Sequence, residues 1–252
     1  MILSVVSIFP EMFDSIAKSG VTSRAFNNDI CELLRINPRD FTTDPYRRVD
    51  DKSFGGGPGM VMKVEPLELA LNEATLQQQQ RGVAKSLKVY LSPQGAKADQ
   101  IMINRLCREA GIVFVCGRYE GVDERFIERN IDMELSIGDL VVSGGELPAM
   151  LIIDAIMRQL PGVLNDKESA ISDSFMNGLL DYPHYTTPQS YHGAQVPEVL
   201  LSGNHKQIDE WRLAQSLWRT YQRRPDLLLE RKLTKIESRL LEFILQQHKQ
   251  DT

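Results

Sequence analysis

Three stretches of this chain, LKVYLSPQG (87–95), IVFVCGRYEG (112–121) and LVVSGGE (140–146), share one grammar: a compact apolar run leads directly into a break of Gly, Pro or Ser. Continuous apolar runs of this length suit strands buried on both faces of a parallel sheet, with helices covering each side. That pattern predicts an α/β fold. In open parallel sheets ligands bind beyond the carboxyl ends of the strands, so three loops gathered there would wall one pocket. A lone glycine after a strand is ordinarily a tight turn. Three such loops at one sheet edge point to a binding site, and the segment SIGDLVVSGGE (136–146), with apolar residues set between Gly138 and Gly144-Gly145, is the densest part of it.

The rest of the chain fits around that sheet. Leu3 to Phe9 reads as a strand, and Pro10-Glu11 suits the first turn of the helix after it. Residues 38–60 carry Pro and Gly at loop density, end in GGGPGM, and hold Arg39, Arg47, Arg48 and Lys52. Helices are predicted over Glu65–Gln80, with the QQQQ tail as a solvated end, over 97–110, and from Leu147 to about Gln159, where Pro161-Gly162 stops the last. Residues 161–178 read as a linker. Beyond it, a proline-rich passage leads to helices from Ile208 and over Leu233–His248. In WRLAQSLWRTYQRR the pairs Trp211/Trp218 and Arg212/Arg219 each share a helical face, and Arg223 extends the basic row. The Trp pair reads equally as core or as a surface for bases.

Charge sharpens the division. The net charge is −5, but residues 204–252 hold ten Lys and Arg against seven Asp and Glu, so the excess of base sits at one end. Phosphate motifs are missing: GGGPGM lacks the Lys-Ser/Thr of a P-loop, and no strand leads into GxGxxG. The four histidines, His184, His192, His205 and His248, are too dispersed to define a metal site; no metal ligand is assigned, and a dependence on Mg2+ is left open. Three cysteines at irregular spacing read as reduced thiols of a cytoplasmic protein. The apolar start, MILSVVSIF, lacks a basic leader and is too short to span a membrane, so no membrane partner is expected.

The segments FPEMF, GGGPGM, LSPQG, CGRYEGVDER, SIGDLVVSGGE and DSF...GLLDYPHYT, in this order from Met1 to about Leu245, closely resemble the bacterial tRNA (guanine-N1)-methyltransferases of the SPOUT superfamily. The resemblance implies a parallel-sheet domain with a deep trefoil knot (1–160), a flexible linker (161–178) and a small helical tRNA-binding domain (179–252), in a homodimer that shares its active sites. It implies S-adenosylmethionine as methyl donor and guanine N1 at tRNA position 37, next to the anticodon, as acceptor. By motif position the donor is held by Tyr90, Leu91, Ser92 and Pro93, by Gly117, Tyr119, Glu120 and Gly121, and by Ser136, Ile137, Gly138, Asp139, Leu140, Val141, Val142, Gly144 and Gly145. In this light the glycines let backbone approach the donor, and Glu120 or Asp139 faces its cationic end.

Methylation at N1 first requires loss of the N1 proton. Asp173 matches the family's general base, a weak one at a free pKa of about 3.9 unless the site assists. Arg158 matches the residue that stabilises charge developing on the guanine O6. Gly59, Arg158, Asp173 and His184 form the implied base-binding set, with Glu120 included among the catalytic residues. Two other readings stand beside this one: a knotted enzyme that methylates a ribose 2′-OH, and a non-catalytic RNA-binding protein.

Overall fold

The computed structural model describes residues 1–165, 170 and 172–250. Two compact units divide the chain, Met1–Lys167 and Glu168–Thr252. The expected linker spans this boundary, and its residues 166–169 and 171 lie outside the described residues.

The first unit is built on five parallel strands: β1 (Ile2–Val6), β2 (Glu32–Ile36), β5 (Leu87–Lys97), β6 (Gly111–Cys116) and β7 (Met133–Ser136), in the order β2-β1-β6-β5-β7. A small antiparallel ladder, β3 (Asp50–Asp51) with β4 (Val61–Met62), frames the Gly-rich segment of the long loop. The apolar runs are explained by burial on two faces. Along β6, Ile112, Phe114 and Cys116 enter one core, while Val113 and Val115 enter the other. Helices α1 (Asp14–Lys18), α2 (Thr22–Asn27), α4 (Gln100–Leu106) and α6 (Glu146–Gln159) belong with the first core; α3 (Val64–Gln80) and α5 (Glu124–Asn130) belong with the second.

Several expectations are corrected. The apolar run Leu140–Val142 is not a strand: the third strand is β7, which ends at Ser136, and Leu140 and Val141 are 50% and 86% exposed. A left-handed turn at Gly138 (φ +134°), closed by Leu140 N–H to Gly138 O at 2.9 Å, takes the chain off the ladder before the run begins. Nor is the QQQQ end solvated throughout, because Gln78 continues the buried stripe of Leu67, Ala70, Leu71 and Ala74 on α3. Its side-chain amide donates to Ser4 Oγ (2.8 Å) and Ile112 O (3.0 Å), and its oxygen accepts from Ser86 Oγ (2.7 Å). The helix expected over 97–110 starts later, capped by Asp99, because β5 runs on to Lys97. The first strand stops at Val6, and Pro10–Phe13 forms a 3-10 turn ahead of α1.

β5 is irregular where it matters. Leu135 of β7 stands opposite both Leu91 and Ala96, so residues 92–95 leave the ladder and rejoin it at the same partner. Pro93 has no N–H to lose there. Gly95 returns hard against the backbone of Glu134 and Leu135, where a Cβ would collide. Strand order also reverses at β5, since β6 lies on one side of it and β7 on the other. Loops leaving β5, β6 and β7 therefore meet at a topological switch point.

The second unit contains a two-residue hairpin, Ser190–Tyr191 with Ala194–Gln195, followed by α7 (Glu198–Leu201), α8 (His205–Arg223), α9 (Pro225–Leu229) and α10 (Lys235–Gln250). Asn204 caps α8 by accepting from Gln207 N–H. Thr234 and Glu237 exchange side-chain and backbone bonds at 2.7 and 3.2 Å, a capping box at the start of α10. Ile208, Ala214 and Leu217 of α8 and Ile244 of α10 are buried.

Candidate functional site

The three loops enclose a cavity of about 260 Å3. Tyr90, Leu91, Ser92 and Pro93 line it from β5 and its bulge; Gly117, Tyr119, Glu120 and Gly121 line it after β6; Ser136, Ile137, Leu140, Val141, Val142, Gly144 and Gly145 line it after β7. The misplaced strand is thus a stretch of pocket wall, in which Leu140 and Val141 are apolar and yet exposed. Gly138 and Asp139 stand outside the lining: Gly138 is buried in its turn with Ser136 Oγ, and Asp139 is exposed.

The glycines serve the protein first. A Cβ on Gly117 would lie 2.8 Å from the Tyr90 hydroxyl, and one on Gly145 would lie 2.7 Å from Cys116 Cα. At Gly144 the space is filled by the Arg118 side chain, and at Gly59 (φ +78°) by Glu120. At each of these four positions the protein's own atoms occupy the space a Cβ would need, so glycine is required there by the packing of the loops themselves. Gly59 lies just before β4, and β4 is tied to the post-β6 loop by Glu120 N–H to Met60 O (3.0 Å) and Met62 N–H to Gly121 O (2.9 Å). Tyr119 holds a left-handed backbone (φ +60°) at the rim, a strained state for a non-glycine residue.

Arg118 and Glu146 were not legible as site residues. Arg118 lines the cavity, and its Nε donates to Glu146 Oε2 at 2.8 Å. Glu146, in the first turn of α6, is fully buried, and its other oxygen accepts from Ser7 Oγ at 2.6 Å. Arg118 also donates to Ser143 O (3.2 Å) and lies 4.7 Å over the Phe9 ring. Gln94, Leu135, Ser143 and Pro148 complete the wall. A charged residue beside glycine in both CGRYEG and SGGE was the available signal; the pairing across 28 positions was not visible in it.

Burial, and secondarily Glu134, pushes the Tyr90 hydroxyl up to about 12, so it remains a neutral donor in the pocket wall. Burial likewise raises the Cys116 thiol well above its usual range. All three cysteines are free thiols, and no cluster of three His, Cys, Asp or Glu side chains able to hold a metal exists among the described residues.

Arg158 is exposed in the last turn of α6. Asp173 and His184 belong to the second unit. Asp173 is half-buried in a turn, its carbonyl accepting from Met176 N–H at 3.3 Å, and His184 Nε2 pairs with Asp181 at 2.8 Å. On α8 both Trp residues are half-buried: Trp211 sits 6.3 Å from Tyr185, Trp218 stacks 5.9 Å from Tyr221, and Arg212 lies 5.1 Å over Tyr182. The basic residues of the long loop, Arg39, Arg47 and Arg48, which are further candidates for holding RNA, are engaged locally: Arg39 donates to Arg47 O at 3.0 Å, and Arg47 and Arg48 pair with Asp40 and Asp44. No helix among the described residues is long and apolar enough to cross a membrane.

The family described as "tRNA (Guanine-1)-methyltransferase TrmD" matches residues 1–230. A tRNA (guanine-N(1)-)-methyltransferase of Chromobacterium violaceum is 58% identical over 241 residues, covering 96% of this chain and 94% of the relative. Proteins of the same name from Nitrosospira multiformis and Pseudomonas syringae pv. tomato are 56% and 55% identical, covering 94% and 95% of this chain and 94% of each relative.

Proposed function

The chain belongs to the tRNA (guanine-1)-methyltransferase family, and from that premise we propose that it moves a methyl group from S-adenosylmethionine to N1 of guanine 37 in tRNA. It is a methyltransferase acting on guanine in tRNA. The observation that carries the finer reading is the convergence of the β5, β6 and β7 loops on one cavity at the switch point.

The residues present fit that donor. Leu91, Ile137, Leu140 and Val142 give apolar walls, loop backbone offers amides and carbonyls for an adenosine, and the exposed Glu120 carboxylate gives a cationic group a partner. S-Adenosylmethionine, when bound, supplies an electrophilic methyl on a sulfonium.

The chain's own residues manage the proton. Asp173 accepts it from guanine N1, freeing the ring nitrogen's lone pair, and Arg158 stabilises the negative charge left on O6. Gly59 and His184 contact the base. Asp173 acts across a homodimer interface, so that a pocket on one subunit is completed by the other. Support for a second copy comes from Leu140, Val141, Leu147 and Leu151, all at least half exposed on α6 and the loop before it. The arginines of α8 hold the RNA backbone and its aromatics take up unpaired bases. We place the deep trefoil knot in the first unit and the enzyme in the cytoplasm on the strength of the family resemblance. Any role of Mg2+ would be added to this scheme and is not required by it.

The test is incubation of an unmodified tRNA transcript with methyl-labelled S-adenosylmethionine, followed by nuclease digestion and mass spectrometry. Label on the base of guanine 37 is expected. Label on a ribose 2′-oxygen would replace the reading with sugar methylation, and lack of label on any tRNA would overturn it.

A further inference from the structure

A guanidinium in the wall of a pocket for a cationic donor is an electrostatic problem, and the structure carries a second observation that resolves it. Arg118 lines the cavity with its side chain 16% exposed, while the carboxylate it meets is completely buried behind it. A buried, unpaired carboxylate would be strongly destabilising, and so would an unneutralised guanidinium facing a sulfonium. Each of these charges is tolerable only because of the other.

The pair is also mechanically fixed. Ser7 Oγ, just beyond the end of β1, donates to Glu146 Oε1; Arg118 Nη1 donates to Ser143 O; Arg118 fills the space left by Gly144; and Gly145 N–H donates to Gly117 O at 2.9 Å. An isolated bridge joins Arg118 and Gly144. The loops after β6 and β7 are thereby fastened to each other and to β1.

We propose that Glu146 is a positioning and charge-masking residue: its carboxylate neutralises Arg118, so that this side chain can clamp two loops of the pocket without repelling a cationic methyl donor. The proposal rests on the assignment of S-adenosylmethionine to this cavity. It predicts that the pair governs discrimination between the cationic donor and its neutral demethylated product, S-adenosylhomocysteine, which differ at the sulfur in one methyl and one positive charge.

The experiment is calorimetric titration of the full-length protein with each molecule, with the fold of every variant checked by circular dichroism. If wild type binds neither molecule, the assignment of the pocket fails and the masking proposal falls with it, an outcome distinct from binding whose ratio does not respond to the variants. If wild type binds them, Glu146→Gln should weaken S-adenosylmethionine relative to S-adenosylhomocysteine by roughly tenfold, since one uncompensated positive charge remains. Arg118→Gln should shift the ratio the opposite way, because a carboxylate is now left without its partner. The double variant, Glu146→Gln with Arg118→Gln, should return the ratio to the wild-type value even if both affinities fall. Should one single variant fail to fold, the other and the double variant still define the sign. A ratio that stays constant in the folded variants, or that moves in the same direction in both single variants, overturns the proposal; a structural role alone would lower both affinities together.

Discussion

Arg118 and Arg212 carry the same guanidinium into opposite settings. Arg118 is mostly buried, bonded to a carboxylate with no exposure at all, and wedged into the space beside a glycine. Arg212 is 44% exposed, lies over the Tyr182 ring and meets Asp209 only at 3.5 Å. Exposed pairs of the second kind contribute roughly 0–1 kcal/mol, whereas stranding one member of a buried pair costs about 3–5 kcal/mol. The difference teaches a division of labour. The first unit fixes the charge at its cavity in the absence of any ligand, as the pocket proposed here for a small donor requires. The second unit leaves Arg212 and Arg223 exposed on a helix whose half-buried Trp residues each have a Tyr ring beside them. Such a surface suits a polyanion that brings its own counterions to release. The second unit is not uniformly loose: Arg231 spans Asn177 O at 2.6 Å and Glu237 at 2.5 Å, tying the segment after Asp173 to the start of α10.

The contrast can be broken from either side. The largest effect is expected at the proposed base: Asp173→Asn should lower single-turnover methylation by about 10²–10⁴-fold while leaving calorimetric donor binding unchanged. Next is Gly145→Ala. Gly145 has ordinary helical backbone (φ −73°), so its cost is purely the collision with Cys116. It should lower stability in thermal unfolding by about 1–3 kcal/mol and weaken donor binding as well. Gln78→Ala is the matched control. It should cost about 1–3 kcal/mol by stranding Ser4 and Ser86, yet leave donor affinity alone, because Gln78 is absent from the cavity lining. Arg212→Ala should change stability by no more than about 0.5 kcal/mol and raise KM for tRNA without altering KM for the donor.

The smallest effect lies in alkaline solution. Tyr90 is held neutral in the fold, chiefly by burial, with its pKa raised from 10 to about 12. A group raised in this way stabilises the fold below its unfolded pKa and loses that contribution as pH climbs through the folded one. Wild type should therefore lose stability relative to Tyr90→Phe between pH 10 and about 12. The buried thiols titrate in both proteins and cancel from the comparison.

Much of this could be read from residues alone, and the exceptions share a cause. LKVY and IVFVC announced themselves because strands buried on two faces need unbroken apolar sequence. Leu140–Val142 copied that signal for another reason: this stretch of the cavity wall is apolar too, and composition does not distinguish a wall from a ladder. The true strand, MELS, was hidden by Glu134, which sits on the sheet edge. Gln78 looked solvated because a buried glutamine is visible only through its partners, Ser4, Ser86 and Ile112, which are distant in the chain or on other elements. The Arg118–Glu146 pair is hidden in the same way, since it exists only once β6 and α6 are brought together. The roles given to Asp173 and Arg158 came from resemblance; nothing in a polar turn residue or an exposed helix-end arginine declares acid–base chemistry.

The central claim is that the loops at 92–95, 117–121 and 137–145 hold the methyl donor, and hydrogen–deuterium exchange of the full-length protein with and without saturating S-adenosylmethionine tests it most directly. Slower exchange concentrated in those three loops is the predicted result. Calorimetrically confirmed binding that leaves the three loops exchanging as fast as before, with protection elsewhere, would contradict the account.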